Sequence, residues 1–320
     1  MMNEENIAME ETKKMPPAAL GAWAWGMDGT FGDTYTVENL KPVYEKAMEN
    51  GLNLWDTAYV YGMGTSEKIL GELIKDTPKE ELIISTKFTP QCEDGTPEAM
   101  QHMIDGSKQR LGTDVIDVYW IHNPYDVEKY TPMIAPLYKS GQIRKVGVSN
   151  HSLAELKRAE EILAAEGVKI EAVQNHFSLL NRSSEKSGIL DYCHEKGMDF
   201  YAYMVLEQGA LSGKYSTENP FPEGSDRAKT YNPLMGKIDE LIAVIKKIAD
   251  AHDASVAQIS EAWAIGKGVL PIIGVTKVSN VEDIIKTAQI DLTEDEIKLM
   301  EETADKLGIS TIRYWEKEMK

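Results

Sequence analysis

The sequence predicts an α/β protein closed into a single (β/α)8 TIM barrel, and three observations carry that reading. Short, β-rich apolar runs alternate with amphipathic helical segments almost to the end of the chain. The strand runs are apolar on both faces, as in a parallel sheet covered by helices. No Gly-x-Gly-x-x-Gly follows an early strand, which weighs against an open dinucleotide-binding sheet. Eight strand–helix units in 320 residues then favour closure over an open sheet.

In chain order, strands are expected at 20–25, 52–58, 82–88, 115–121, 145–149, 172–176, 200–205 and 269–275. Helices are expected at 37–50, 66–74, 98–111, 153–166, 186–196, 237–251, 256–267 and 281–286. The helical period is visible in spacings such as Leu156, Ala159, Ile162 and Leu163. The region from Leu292 reads as helical, with a short end at 311–320. Segment 207–233 holds several Gly, Pro and polar residues and reads as a long loop, of the kind that often carries function. There is no linker and no repeat beyond the βα unit, so one domain spans 1–320, with 1–15 expected as a poorly ordered N-terminal extension.

Composition narrows the function classes. With 42% hydrophobic residues the chain can bury a large core. It has no run of about 20 apolar residues to span a membrane. The acidic N-terminus lacks the basic-then-apolar order of a signal peptide. Cys92 and Cys193 make neither a disulfide framework nor a metal site, and no metal is expected. A cytoplasmic location is the expectation. The 34 basic and 52 acidic residues leave a net charge of −18, which repels nucleic acid and anionic lipid. An anionic cofactor would need a local positive site.

Three successive strand ends present chemistry. Asp56 closes one strand and the loop after it presents Tyr61; Lys87 closes the next strand, and His122 the one after that. A barrel collects strand ends at one rim. There a lysine ammonium beside a tyrosine would lower the phenol pKa from about 10. Asp56 would support Lys87, and His122 would orient a substrate carbonyl. Tyr61 could then protonate the oxygen of a carbonyl that receives hydride, or run the reverse step. No side chain supplies hydride, so a cofactor must. Each residue has a plainer reading: Asp56 as a helix cap, Tyr61 as a rim aromatic, Lys87 as a snorkelling surface lysine, His122 as structural. It is the conjunction that favours a catalytic set.

The motifs resemble the aldo-keto reductase superfamily over nearly the whole chain. Asp56-Thr-Ala-Tyr-Val-Tyr-Gly62 followed by Ser66-Glu-Lys-Ile-Leu-Gly71 is similar to its first signature. Leu111-Gly-Thr-Asp-Val-Ile-Asp117 leading to His122 is similar to the second, and Gly141-Gln-Ile-Arg-Lys-Val-Gly-Val-Ser-Asn150 to the third. The resemblance implies a barrel that binds a nicotinamide cofactor and uses Asp56, Tyr61, Lys87 and His122 as a tetrad. It further implies that Ser149, Asn150 and Gln174 hold the nicotinamide carboxamide and that Tyr203 stacks on the ring. Gly21, Ala22 and Trp23 would lie along the cofactor. Leu206, Gln208, Gly209 and Lys214 belong to the pyrophosphate-contacting segment, and Gly274, Thr276, Lys277, Asn280 and Asp283 to the adenosine end. Ser149 and Asn150 could equally cap the helix at 153–166.

Three departures stand out. Tyr203-Met-Val-Leu206 replaces a Tyr-Ser-Pro-Leu pattern, which implies a different loop path. Phe177 stands where an aromatic, often tyrosine, is usual. Asn280 replaces an arginine that grips the 2′-phosphate in many members, leaving Lys277 as a single point charge. NADP(H) is favoured and NAD(H) stays open. Trp25, Tyr59, Trp120, Asn123 and Tyr125, with Trp23, are the substrate-pocket candidates, although Trp120 could equally be core.

The leading function is reduction of an aldehyde, ketone or sugar carbonyl to an alcohol, or the reverse. A nucleotide-sensing subunit of the same fold, like potassium-channel β subunits, is the alternative. A barrel glycosidase needs a second rim carboxylate opposite Asp56, and the strand ends at Lys87, His122 and Ser149 offer none. Relatives that reduce C=C bonds carry glutamate where this chain has His122. The partner is a small carbonyl or alcohol, and oligomeric state is not readable.

Overall fold

The computed structural model describes residues 13–31, 34–313 and 316–319. Of the expected 1–15 extension, residues 1–12 lie outside the described residues. Within it, Lys13 donates to Asp117 Oδ1 at 2.6 Å and to the Lys79 carbonyl at 3.1 Å.

Eight parallel strands form a closed barrel in sequence order: β1 (Ala19–Gly21), β2 (Leu54–Asp56), β3 (Ile83–Phe88), β4 (Ile116–Ile121), β5 (Ile143–Ser149), β6 (Ala172–His176), β7 (Asp199–Tyr203) and β8 (Leu270–Gly274). β1 closes the ring by pairing with both β2 and β8. The register sets Gly21 beside Asp56, Lys87 beside Trp120, Ser149 beside Gln174 and His176 beside Tyr203. Because all strands run the same way, their C-terminal ends share one rim.

Alternate residues of each strand point inward. Ala19, Leu54, Ile83, Val118, Trp120, Ala172 and Tyr201 form a small inner core, separate from the larger core between strands and helices. Trp120 occupies so much of the interior that a Cβ on Gly147 would lie 2.2 Å from its ring, so only glycine fits there.

The strand expected at 20–25 is only Ala19–Gly21, and Trp23–Gly26 turns into a 3-10 helix instead. The Ala22 carbonyl accepts from Trp25 N, so the chain bends over the rim. The helix expected at 186–196 is split into Ser183–Lys186 and Ile189–Lys196, because Gly188 between them is left-handed (φ 80°). After β4, the short helices Val127–Tyr130 and Ile134–Lys139 lie in a stretch where Pro132 and Pro136 hide the helical period. The 207–233 segment contains a helix, Asp226–Tyr231, capped by Ser225. Among the described residues no helix is long and apolar enough to cross a membrane.

Candidate active site

The rim brings together the three strand-end residues Asp56, Lys87 and His122 and the loop residue Tyr61. Lys87 is fully buried, and its Nζ lies 2.6 Å from Asp56 Oδ2 and 2.7 Å from the Thr57 carbonyl. The same Nζ is 5.0 Å from the centre of the Tyr61 ring. The Tyr61 and His122 rings meet edge to face with centroids 6.0 Å apart. Asp56 also accepts from Ser85 Oγ at 2.7 Å and from Gln174 Nε2 at 3.3 Å. The buried carboxylate, held by three donors, fixes the ammonium in place.

Neither plain reading of Asp56 and Lys87 holds. The helix after Tyr61 (Thr65–Ile74) begins beyond Gly64, far from Asp56, and Lys87 has no exposed surface for its head group. Burial disfavours the Lys87 charge, yet Asp56 and Tyr61 raise its pKa above the ordinary lysine value. Burial also raises the Tyr61 phenol, and the opposing pull of Lys87 does not prevail. The expected lowering of the tyrosine pKa is therefore corrected: at the foot of a closed rim, loss of hydration outweighs one nearby cation. Tyr61 is a protonated donor at neutral pH. His122 is driven well below the ordinary histidine value by burial and by Lys87, so its imidazole is neutral. Its Nδ1 lies 2.9 Å from Thr89 Oγ1.

The loop carrying Tyr61 is clamped from both ends. Tyr61 N donates to Ala58 O (3.1 Å), and the Tyr61 carbonyl accepts from Ser66 N (3.2 Å). Ser66 Oγ donates to the Ala22 carbonyl at 2.7 Å and meets Thr57 Oγ1 at 2.8 Å. Gly62 is left-handed (φ 64°), and a Cβ there would sit 2.0 Å from the Gly26 carbonyl oxygen. Below, buried Glu67 binds Arg110 Nε (2.7 Å) and Thr86 Oγ1 (2.6 Å).

Across the rim lie the residues expected along a nicotinamide. Ser149 is buried, and its Oγ accepts from Asn150 Nδ2 at 3.1 Å. Asn150 is left-handed (φ 62°) and also donates to the His122 carbonyl at 3.0 Å. The cap of the next helix (Leu153–Ala164) is Ser152, so that alternative for Ser149 and Asn150 falls away. Tyr203 sends its hydroxyl to Asn150 Oδ1 at 2.5 Å. Ala22 N pairs with the Asp56 carbonyl at 2.9 Å, and the Trp23 ring stacks 6.0 Å from Tyr61. A Cβ on Gly274 would meet nothing within 4 Å, so the end of β8 faces open space beside Gly21.

After β7, Met204, Glu207 and Gln208 are all left-handed (φ 62°, 48° and 53°). Leu206 O accepts from Gly209 N at 2.8 Å, closing the turn. Gly209 (φ 107°) leaves room for Tyr215, whose ring a Cβ would approach to 3.2 Å. Gln208 Nε2 and Arg227 Nε are buried without a hydrogen-bond partner. The Arg227 guanidinium lies among Phe31, Tyr215 and Phe221. Lys214 is exposed beside Tyr215. On the far side Lys277 is exposed, and Asn280 Oδ1 accepts from the Thr276 and Lys277 amides at 3.1 Å each. Asn280 thus caps its helix (Val278–Thr287), and Asp283 accepts from Gln258 at 2.7 Å.

The aldo/keto reductase family model matches residues 18–305. The chain belongs to the aldo/keto reductase family. It is 30% identical over 315 residues to the chloroplastic pyridoxal reductase of Arabidopsis thaliana, covering 93% of this chain and 85% of that one. It is 29% identical to an aldo-keto reductase of Schizosaccharomyces pombe named for NADP(+), over 92% and 91% of the two chains. Among solved structures it is similar to a glycerol dehydrogenase from Gluconobacter oxydans, with a TM-score of 0.81 and 26% identity over 94% of each chain.

In this aldo/keto reductase several expected pocket residues turn out to be scaffold. Trp25 has no exposed surface and donates to the Val275 carbonyl at 2.8 Å. Trp120 is equally buried and donates to Ser85 Oγ at 2.7 Å, beneath Asp56. The Tyr59 ring lies under the Arg110 guanidinium at 4.8 Å, toward the helical layer. Asn123 is at the rim, but its amide is matched by Gln91 in a reciprocal pair at 3.0 and 2.8 Å. Tyr125 is 68% exposed, and Trp23, half-buried, donates to Asp28 Oδ2 at 2.7 Å.

Sequence reading missed His176, Glu207, Arg227, Arg313 and Glu316, all of which surround the same rim. His176 sits in Val173-Gln-Asn-His176, two residues past Gln174, so inward alternation along β6 could have flagged it. Nothing local marks Glu316, which lies 113 positions from Tyr203.

Proposed function

We propose that this aldo/keto reductase interconverts a carbonyl and an alcohol, using a nicotinamide cofactor with NADP(H) favoured and Tyr61 as proton donor. The observation that carries the proposal is the buried Lys87–Asp56 pair at 2.6 Å, with its ammonium 5.0 Å from the Tyr61 ring. In a structural role a fully buried lysine is costly. Beside a phenol, an ammonium stabilises the phenolate left when Tyr61 gives its proton to the substrate oxygen. His122, neutral and facing Tyr61, would steer that oxygen.

The residues present suit a dinucleotide. Ser149, Asn150 and Gln174 offer the mixed donors and acceptors that a carboxamide needs. Gln208 Nε2 and Arg227 Nε are buried donors lacking partners, suited to a phosphate in a chain of net charge −18. Tyr203 supplies a ring to cover one face of a nicotinamide. When bound, the cofactor would supply hydride. Lys277 is the exposed cation for a 2′-phosphate, and Asn280, occupied as a helix cap, adds no charge to it.

Titrating the protein with NADPH and with NADH, by nicotinamide fluorescence, tests the reading. NADPH should bind more tightly, and Lys277→Ala should shrink the preference. Failure of both nucleotides to bind would overturn the proposal.

A further inference from the structure

A buried chain of three ionisable side chains lies against the nicotinamide end of the rim, outside the tetrad. His176, 3% exposed at the end of β6, has Nε2 2.8 Å from Glu207 Oε1 and Nδ1 2.9 Å from Glu316 Oε2. Fully buried Glu207 also accepts from Ser178, from Tyr231 Oη (2.9 Å) and from Thr311 Oγ1 (2.9 Å). Burial by itself would lower the His176 pKa, but the two carboxylates push it up to about 10, so the imidazolium bridges two anions. Glu316 Oε2 also accepts from Arg313 N at 2.9 Å, and Arg313 Nη1 reaches Gln208 Oε1 at 2.8 Å. The C-terminal segment is thereby pinned to the ends of β6 and β7.

The other oxygen of Glu316 faces the ligand side. Tyr203 Oη lies 2.8 Å from Glu316 Oε1 and 2.5 Å from Asn150 Oδ1. A phenol has one proton, so two acceptors compete for it. Asn150 Oδ1 has two lone pairs, and the Tyr203 phenol engages one of them; if Asn150 is to turn toward a carboxamide N–H, the Tyr203 hydroxyl must follow it or pass to Glu316. Without a second acceptor, a turn of Asn150 would leave the Tyr203 proton unpaired.

Resting on the function proposed above, we infer that Glu316 is a positioning residue for the nicotinamide. It takes over the Tyr203 hydroxyl when Asn150 turns to the carboxamide, and it keeps the Tyr203 ring in place through that exchange. No bond is made or broken beyond hydrogen bonds. His176 and Glu207 anchor Glu316 so that its free oxygen stays aimed at Tyr203.

The test is a double-mutant cycle of Glu316→Gln and Tyr203→Phe, with the NADPH dissociation constant as the readout. Glu316→Gln should weaken NADPH about tenfold, as expected for loss of one hydrogen bond to a charged group. In the Tyr203→Phe background, where there is no hydroxyl to hand over, the same change should cost no more than about threefold. Deuterium transfer from the two C4-deuterated NADPH diastereomers gives a readout that a mere tail anchor would not move. Glu316→Gln should lose facial fidelity as the Tyr203 ring loosens. Should Glu316→Gln not fold, Glu316→Asp, which keeps the charge but shortens the reach, replaces it with the same expectation. Equal losses in both backgrounds, or no loss in either, overturn the inference while NADPH binding by the unaltered protein leaves the function standing. An unaltered protein that binds neither nucleotide overturns both.

Discussion

Replacing Asp56 by Asn removes one charge from the buried Lys87–Asp56 ion pair. The separation of 2.6 Å gives a Coulomb attraction of about 6 kcal/mol at an effective dielectric of about 20. Part of that offsets the cost of taking both charges out of water. Breaking a buried pair from one side costs about 3–5 kcal/mol. For a chain of 320 residues that corresponds to a fall in Tm of roughly 4–7 °C. Ser85 Oγ can still donate to the amide oxygen, so the loss belongs to the stranded ammonium. Adding Lys87→Met removes the stranded charge, and the double variant should recover at least half of the lost Tm. Its carbonyl-reduction rate should stay down by about 10²-fold or more, because Tyr61 has lost its cation. Thermal unfolding followed by circular dichroism reads the first quantity, and nicotinamide oxidation with a carbonyl substrate reads the second. A single variant as stable as the parent, or a double variant that regains activity along with stability, would refute the coupling of this pair to Tyr61.

Three further outcomes follow from the same geometry. Gly62→Ala places a Cβ 2.0 Å from the Gly26 carbonyl at a left-handed residue, so the Tyr61 loop must shift. The turnover number should fall about 10²-fold with the circular dichroism spectrum unchanged, as expected for a displacement of about 1 Å at the chemistry. Burial pushes the Glu261 carboxyl up to about 8, with Thr287 donating to it at 3.0 Å. Its folded pKa is raised, so the stability it contributes is complete below about pH 4.5 and is lost as pH rises toward 8. Glu261→Gln should therefore stabilise the protein at pH 7 by about 3 kcal/mol and leave it unchanged near pH 4, measured by urea unfolding. Finally, His122 is neutral well below its ordinary range and Tyr61 stays protonated above its own. The turnover number for reduction should then be flat from about pH 6 to 9. A limb near pH 6.5 would show that His122 carries a functional proton.

The barrel was legible because its strands recur at regular intervals, and the site because Asp56, Lys87 and His122 fall at strand ends with Tyr61 in the loop after the first. Asp56, Lys87 and His122 could be placed on one rim from spacing alone. Which aromatics face a ligand could not. In a parallel barrel strand both faces are apolar, so alternation does not distinguish the inner core from the helical layer. Trp25 fills the seam beside Val275, although it had read as a pocket wall, and Trp120 fills the interior, the core alternative of its two readings. The sign of the Tyr61 shift was also out of reach. It depends on a contest between hydration and one ammonium that only the depth of the residue decides. Glu316 escaped notice because its side-chain partners, His176 and Tyr203, come from the ends of β6 and β7, brought to it only by closure of the barrel.

The most direct test of the account is a single-turnover measurement on the protein already loaded with NADPH. It is mixed with a carbonyl and followed by nicotinamide absorbance, alongside the Tyr61→Phe variant. The account predicts that the variant binds NADPH within about threefold of the parent but transfers hydride about 10²–10⁴-fold more slowly. A variant that transfers hydride within tenfold of the parent would contradict Tyr61 as the proton donor.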